Sequence, residues 1–133
     1  MTTKTLRILI LEDVEEEASL MLNAIKKELK VDDFLVVDTK EEFMQGLETL
    51  KTTLIISDHS LAQFDSMEAL SVCQDKNVRL PFILVSGMQS DEFALAGMKK
   101  GATDFVSKDH LTRLPAAIKI AINKHEMEAE KEH

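Results

Sequence analysis

The sequence predicts one α/β domain built on a doubly wound, five-stranded parallel sheet, and three observations carry that prediction. Five short apolar runs, at residues 7–11, 34–37, 54–58, 82–86 and 102–106, alternate along the chain with amphipathic helical stretches. Such alternation specifies a parallel sheet covered on both faces. The runs are apolar almost throughout, as strands buried on both faces require. Third, the intervening helices are short and the strands too few for a closed barrel of about eight. Right-handed crossovers then leave few topologies, and strand order 2-1-3-4-5, one known for doubly wound sheets, is expected, with a switch point between the first and third strands.

Each element has its own local justification. Residues 7–11, Arg-Ile-Leu-Ile-Leu, stop at Glu12-Asp13. Residues 15–29 put Ala18, Leu22, Ile25 and Leu29 on one helical stripe. The stretch opens on Glu15-Glu16-Glu17 and ends near Lys26-Lys27, matching the helix dipole. After the short run 34–37, residues 39–50 turn Phe43, Gly46, Leu47 and Leu50 inward, with Thr39 and Glu42 spaced as a capping box. The run 54–58 ends on Asp58, and residues 66–76 then carry Met67, Leu70 and Cys73 at helical spacing. Pro81 opens the run 82–86, which Gly87 breaks. Residues 91–100 form a short helix that Gly101 ends, and 102–106 supply the fifth strand. The last helix is expected over residues 111–123, with Leu114, Ile118 and Ile122 on one side and Pro115 in its first turns.

The chain divides into a domain over residues 1–123 and a charged extension over 124–133. That extension has no apolar stripe and reads equally as a solvated helix end or as the start of a linker to a further domain. In 133 residues, a hydrophobic share of 44% and a charged share of 30% describe a soluble globular domain. No apolar run approaches the ~20 residues needed to cross a bilayer. The first residues lack the apolar stretch of a signal peptide, so the cytoplasm is the expected location. A lone Cys73 agrees with a reducing compartment and reads as a small buried hydrophobe. The formal charge of −8, without Trp or Tyr, argues against nucleic-acid binding by this segment.

Chemistry concentrates at the strand ends. Glu12-Asp13 follow the first strand, Asp58 ends the third, Ser86 the fourth, and Lys108 follows the fifth. In the expected order all of these point into one crevice, where open α/β sheets bind ligands. Singly, each residue has a structural explanation as a cap, a turn or a surface charge. Together, three crowded carboxylates repel one another and are expected to cost stability unless a cation joins them. Hard oxygen ligands in small number suit Mg²⁺, which binds one or two carboxylates plus phosphate. A carboxylate, an ammonium and a hydroxyl beside such an ion are the parts of a phosphoryl-transfer site. In that reading Asp58 attacks, Lys108 neutralises oxygens and Ser86 donates a hydrogen bond.

Residues 6–122 resemble the receiver domain of bacterial two-component response regulators, a CheY-like, flavodoxin-like fold. The resemblance rests on Ile8-Leu9-Ile10-Leu11-Glu12-Asp13, Leu54-Ile55-Ile56-Ser57-Asp58, Pro81-Phe82-Ile83-Leu84-Val85-Ser86-Gly87 and Gly101-Ala102-Thr103-Asp104-Phe105-Val106-Ser107-Lys108. It implies that Asp58 accepts phosphate from a histidine kinase or a histidine phosphotransfer protein. It also implies that Glu12, Asp13, Asp58 and the backbone carbonyl of Ser60 hold Mg²⁺. Ser86 and Phe105 then fill the family's switch positions, and the fourth helix, fifth strand and fifth helix form the output face, Met88, Leu95 and Lys99 included. Such a protein is regulatory and assists only its own phosphorylation and dephosphorylation. One departure is Asp109, where the family often has a proline after the lysine, commonly cis; a trans bond is expected here. Competing readings are a degenerate receiver used only for docking, a haloacid-dehalogenase-like phosphatase and a flavodoxin-like electron carrier. His59 reads as an exposed loop residue, lacking a nearby Cys or His partner.

Overall fold

The computed structural model describes residues 5–58, 64–87 and 91–131. Their element order is β1 (Arg7–Leu11), α1 (Glu15–Lys26), β2 (Asp33–Val37), α2 (Lys40–Thr49), β3 (Leu54–Asp58), α3 (Ser66–Asp75), β4 (Phe82–Ser86), α4 (Asp91–Lys100), β5 (Asp104–Ser107), a 3-10 turn (Lys108–Arg113) and α5 (Leu114–Lys131). The strands are parallel and lie in the order β2-β1-β3-β4-β5, as the alternation predicts. Among the described residues no helix is long and apolar enough to cross a membrane.

Strand side chains alternate between faces, which divides the core in two. Ile8, Ile10, Leu54, Ile56, Ile83 and Val85 face α1 and α5, where Met21, Ile25, Leu114 and Ile118 meet them. Leu9, Leu11, Ile55, Phe82 and Leu84 face the other way, against Phe43, Phe64, Leu70 and Cys73. Burial raises the Cys73 thiol to about 11, so it stays a neutral packing group. Phe43 and Phe64 close one end of this layer, with ring centroids 5.4 Å apart. Gly46 lets α2 approach β1 closely, since a Cβ there would stand 2.7 Å from Leu9 Cδ1. Gly97 does the same for α4, where a methyl would overlap Leu84 Cδ1.

Three expectations need adjustment. The fifth strand begins at Asp104, not Ala102. Gly101, at φ +124°, closes α4 with its N–H on Met98 O, while the Ala102 N–H returns to Gly97 O. That pairing is a Schellman closure, so the Ala102 donor is spent on the helix end and cannot join the sheet. The last helix starts at Leu114 and runs to Lys131, past the predicted 111–123. Leu111 lies on the preceding 3-10 turn, which His110 (φ −130°, ψ 46°) interrupts. A three-residue spacing from Leu111 to Leu114 reads the same in either helix type. Beyond Ile122 the apolar stripe ends, yet Lys, Glu, Met and Ala are strong helix formers and continue it. His125 Nε2 and Thr103 Oγ1, 3.2 Å apart, tie that continuation to the start of β5. The third difference is β2, an edge strand that leaves Phe34, Leu35 and Val36 exposed. At α2, Thr39 accepts from Glu42 N–H as foreseen, but the Glu42 carboxylate accepts from Asp38 N–H, one residue before the cap.

Candidate functional site

The parallel register brings four strand ends to one edge of the sheet. Leu11 stands opposite Ser57, Asp58 opposite Val85, and Ser86 opposite Ser107. Glu12, Asp58, Ser86 and Lys108 therefore emerge together. Glu12, Asp58 and Ser86 are buried, Ser86 completely. Lys108 opens the 3-10 turn, which Ser107 caps by accepting from Asp109 N–H at 3.2 Å. No described peptide bond is cis, so the bond between Lys108 and Asp109 is trans, as expected.

The Lys108 ammonium is the hub. Its Nζ lies 2.7 Å from Glu17 Oε1, 2.8 Å from Asp58 Oδ2 and 3.3 Å from Glu12 Oε1. Two of its N–H groups donate, one to Glu17 and one to Asp58. The contact to Glu12 has ion-pair distance without hydrogen-bond alignment. Glu12 Oε1 consequently has no hydrogen-bond partner among the described residues, although its Oε2 accepts from Val14 N–H at 3.2 Å. Burial, the charge of Asp58 and a hydrogen bond shared with Asp58 push the Glu12 carboxyl up to about 7, against the smaller pulls of Val14 N–H and Lys108. Burial pulls the Lys108 ammonium down. Its hydrogen bonds to Asp58 and Glu17 and the charges of Asp58 and Glu12 outweigh that, holding it above the usual lysine range.

The structure gathers most of the residues the sequence nominates, with two exceptions and one addition. Ser60, like Met88 and His59, falls outside the described residues. Asp13 is exposed and does not belong to the convergent acids. It faces Asp38, whose carboxyl is raised first by its hydrogen bond with Glu42 and in small part by the Asp13 charge. The addition is Glu17, from the first turn of α1. Carboxylate oxygens of Glu12, Glu17 and Asp58 all lie within 4.8 Å of one another. In the sequence Glu17 reads as one of three acids suited to a helix N-terminus. Its place four residues before the buried Met21 sets it on one edge of the inward stripe, whereas Glu15, three before Ala18, borders the other edge and Glu16 faces outward. Phe105 is half-buried opposite Leu84, packed on the face of the sheet that α2 and α3 cover.

An orphaned buried carboxylate oxygen beside two further acids fits a divalent cation, because oxygen donors in small number suit Mg²⁺. The same edge offers a buried nucleophilic carboxylate, a cation bonded to it and a buried hydroxyl, the parts that phosphoryl transfer uses.

Known proteins share this arrangement of elements. The chain is 29% identical to the chemotaxis protein CheY of Listeria monocytogenes over 106 residues, 77% of this chain and 86% of that protein. It is 24% identical over 124 residues to the alkaline phosphatase synthesis transcriptional regulatory protein PhoP of Bacillus subtilis, covering 92% of this chain and 51% of that one. Among solved structures, the signal receiver domain of a Luxo repressor protein from Vibrio parahaemolyticus superposes with a TM-score of 0.83 at 25% identity, over 98% of this chain and 99% of that chain. Residues 8–119 match the model of the response regulator receiver domain, and the chain belongs to that family.

Proposed function

We propose that this receiver domain is a phosphoacceptor of a two-component system, taking a phosphoryl group on Asp58 from a histidine kinase or a histidine phosphotransfer protein. Receiver domains are regulatory modules, and this reading makes the chain a switch and not an enzyme with turnover. The observation that carries it is the Asp58 carboxylate, buried at the end of the central strand and 2.8 Å from the Lys108 ammonium.

A carboxylate oxygen of Asp58 attacks the phosphorus of a phosphohistidine. The O–P bond forms as the P–N bond breaks, and the leaving imidazole keeps the electron pair. Lys108 pairs with oxygens of the incoming group, and Ser86 donates to one of them. Mg²⁺, when bound, would supply further neutralisation of phosphoryl charge; Glu12 and Asp58 would hold it, and the family resemblance adds the Ser60 carbonyl and Asp13, which would turn in from solvent to join them. Drawing the Ser86 hydroxyl toward the phosphoryl then frees room for Phe105 to turn inward. The resulting population shift alters the face formed by α4, β5 and α5, including Leu95 and Lys99. Residues 1–123 form the receiver domain in this reading, and the charged stretch from residue 124, helical as far as Lys131, is either a solvated helix end or the start of a linker. Docking without phosphorylation is the weaker alternative, since Glu12, Asp58, Ser86 and Lys108 all stand in place.

The test is intact-mass measurement after incubation with acetyl phosphate and Mg²⁺. One phosphate adds to the parent and none to Asp58→Asn, because an amide is no nucleophile. Full labelling of Asp58→Asn overturns the assignment.

A further inference from the structure

Glu17 takes no part in the chemistry just described, yet among the described carboxylates it makes the shortest contact to the Lys108 ammonium. Its Oε1 lies 2.7 Å from Lys108 Nζ, against 2.8 Å for Asp58. It comes from α1, whereas the other groups come from strand ends. Beside the pair lies a cavity of about 140 Å³ lined by Glu17, Leu20, Met21, Lys108 and Leu111. Packing therefore leaves the ammonium room to move on that side, and charge decides where it rests.

A phosphoryl group on Asp58 brings about two negative charges and new acceptor oxygens. As Lys108 turns toward them its bond to Glu17 loosens, and Glu17 is then left as a less compensated carboxylate facing a like-charged group. We propose that Glu17 is a positioning residue that holds the Lys108 ammonium toward α1 and thereby weakens the site's hold on an Asp58 phosphoryl. Glu17 shortens the lifetime of the phosphorylated state, while its negative charge favours a divalent cation. The inference rests on the phosphoacceptor reading of Asp58.

Ligands of opposite charge make the proposal separable from a structural role. Calorimetry measures Mg²⁺ alone, and beryllofluoride at saturating Mg²⁺, with the parent, Glu17→Gln and Glu17→Asp. The Glu17 side chain is 37% exposed, so an effect of about fivefold is expected, shrinking as salt is raised. Glu17→Gln should bind Mg²⁺ about fivefold more weakly and beryllofluoride about fivefold more tightly, and its phosphoaspartate should decay more slowly by a similar factor. Glu17→Asp keeps the charge and should stay near the parent in both. A merely structural role moves both affinities in one direction. Equal loss of both, or no change in either, overturns the proposal. A parent that binds no beryllofluoride overturns the phosphoacceptor reading itself, and this inference with it.

Discussion

Replacing Glu12 by glutamine should stabilise the metal-free protein, and by an amount that depends on pH. Glu12 is 2% exposed, and among the described residues its Oε1 has no hydrogen-bond partner, only the ion pair to Lys108. Burial, and after it Asp58, lifts its carboxyl from 4.5 to about 7. The folded state therefore binds more protons than the unfolded chain between those values, and stability falls as pH rises through that window. Above it the whole cost is present, about 3 kcal/mol, since each tenfold change in proton affinity is worth about 1.36 kcal/mol. Below pH 4.5 the acid is neutral in both states and nothing is lost. Glutamine is isosteric and uncharged. Glu12→Gln in EDTA should then melt about 9 °C above the parent near pH 8, at roughly 3 °C per kcal/mol for a domain of this size. The difference should vanish by about pH 4.5. Thermal melts of both proteins across this range, repeated in millimolar Mg²⁺, provide the test. Mg²⁺ should raise the parent's midpoint more than the variant's, because binding to the folded state adds stability only where the ligand is retained. A variant less stable than the parent near pH 8 in EDTA, or a gain that does not change with pH, refutes the reasoning.

Two further predictions concern the scaffold. Gly97→Ala gains about 1 kcal/mol of helix propensity but drives a methyl into Leu84, at a cost of ~1–3 kcal/mol. Urea titration should show a net loss, and an unchanged midpoint would mean that Leu84 gives way. Burial holds the His125 imidazole below its ordinary 6.5, with Lys124 adding to that and Glu128 opposing it. The unfolded chain then binds the extra proton, so this contribution is intact at neutral pH and is lost as pH falls through 6.5. Denaturation of His125→Gln beside the parent should show the variant gaining relative stability on acidification; parallel curves would rule the linkage out.

The sequence exposes the fold because a doubly covered parallel sheet requires uninterrupted apolar strands, and residues 7–11, 54–58 and 82–86 are nearly that. Right-handed crossovers leave few strand orders, and in the expected one Glu12, Asp58, Ser86 and Lys108 can be assembled without coordinates. Charge placement on helices is less legible. Glu15, Glu16 and Glu17 satisfy the α1 dipole equally, and only the inward rotation set by Ala18 and Met21 brings Glu17 to Lys108. Conversely Glu12 and Asp13 are adjacent acids in the sequence, but the chain leaving β1 turns one into the core and the other to solvent. The boundaries at Asp104 and Leu114 turn on backbone closure by Gly101 and on a 3-10 turn, which side-chain periodicity does not encode.

The bare outer edge of the sheet bears on how this protein behaves in concentrated solution. Three consecutive apolar residues, Phe34, Leu35 and Val36, lie on an edge strand that among the described residues pairs only on its inner side, the geometry that recruits a second strand and seeds association. The chain guards it with charge. Asp32 and Asp33 precede the ribbon, Asp38 follows it, and the Asp33 carboxylate takes up the Phe34 N–H at 2.8 Å. Lys26 covers the Phe34 ring from 5.1 Å, and the overall charge of −8 keeps molecules apart. All of this is electrostatic. Salt that screens the carboxylates, or acid that neutralises them, removes the guard without unfolding anything, and colloidal stability should fail there first.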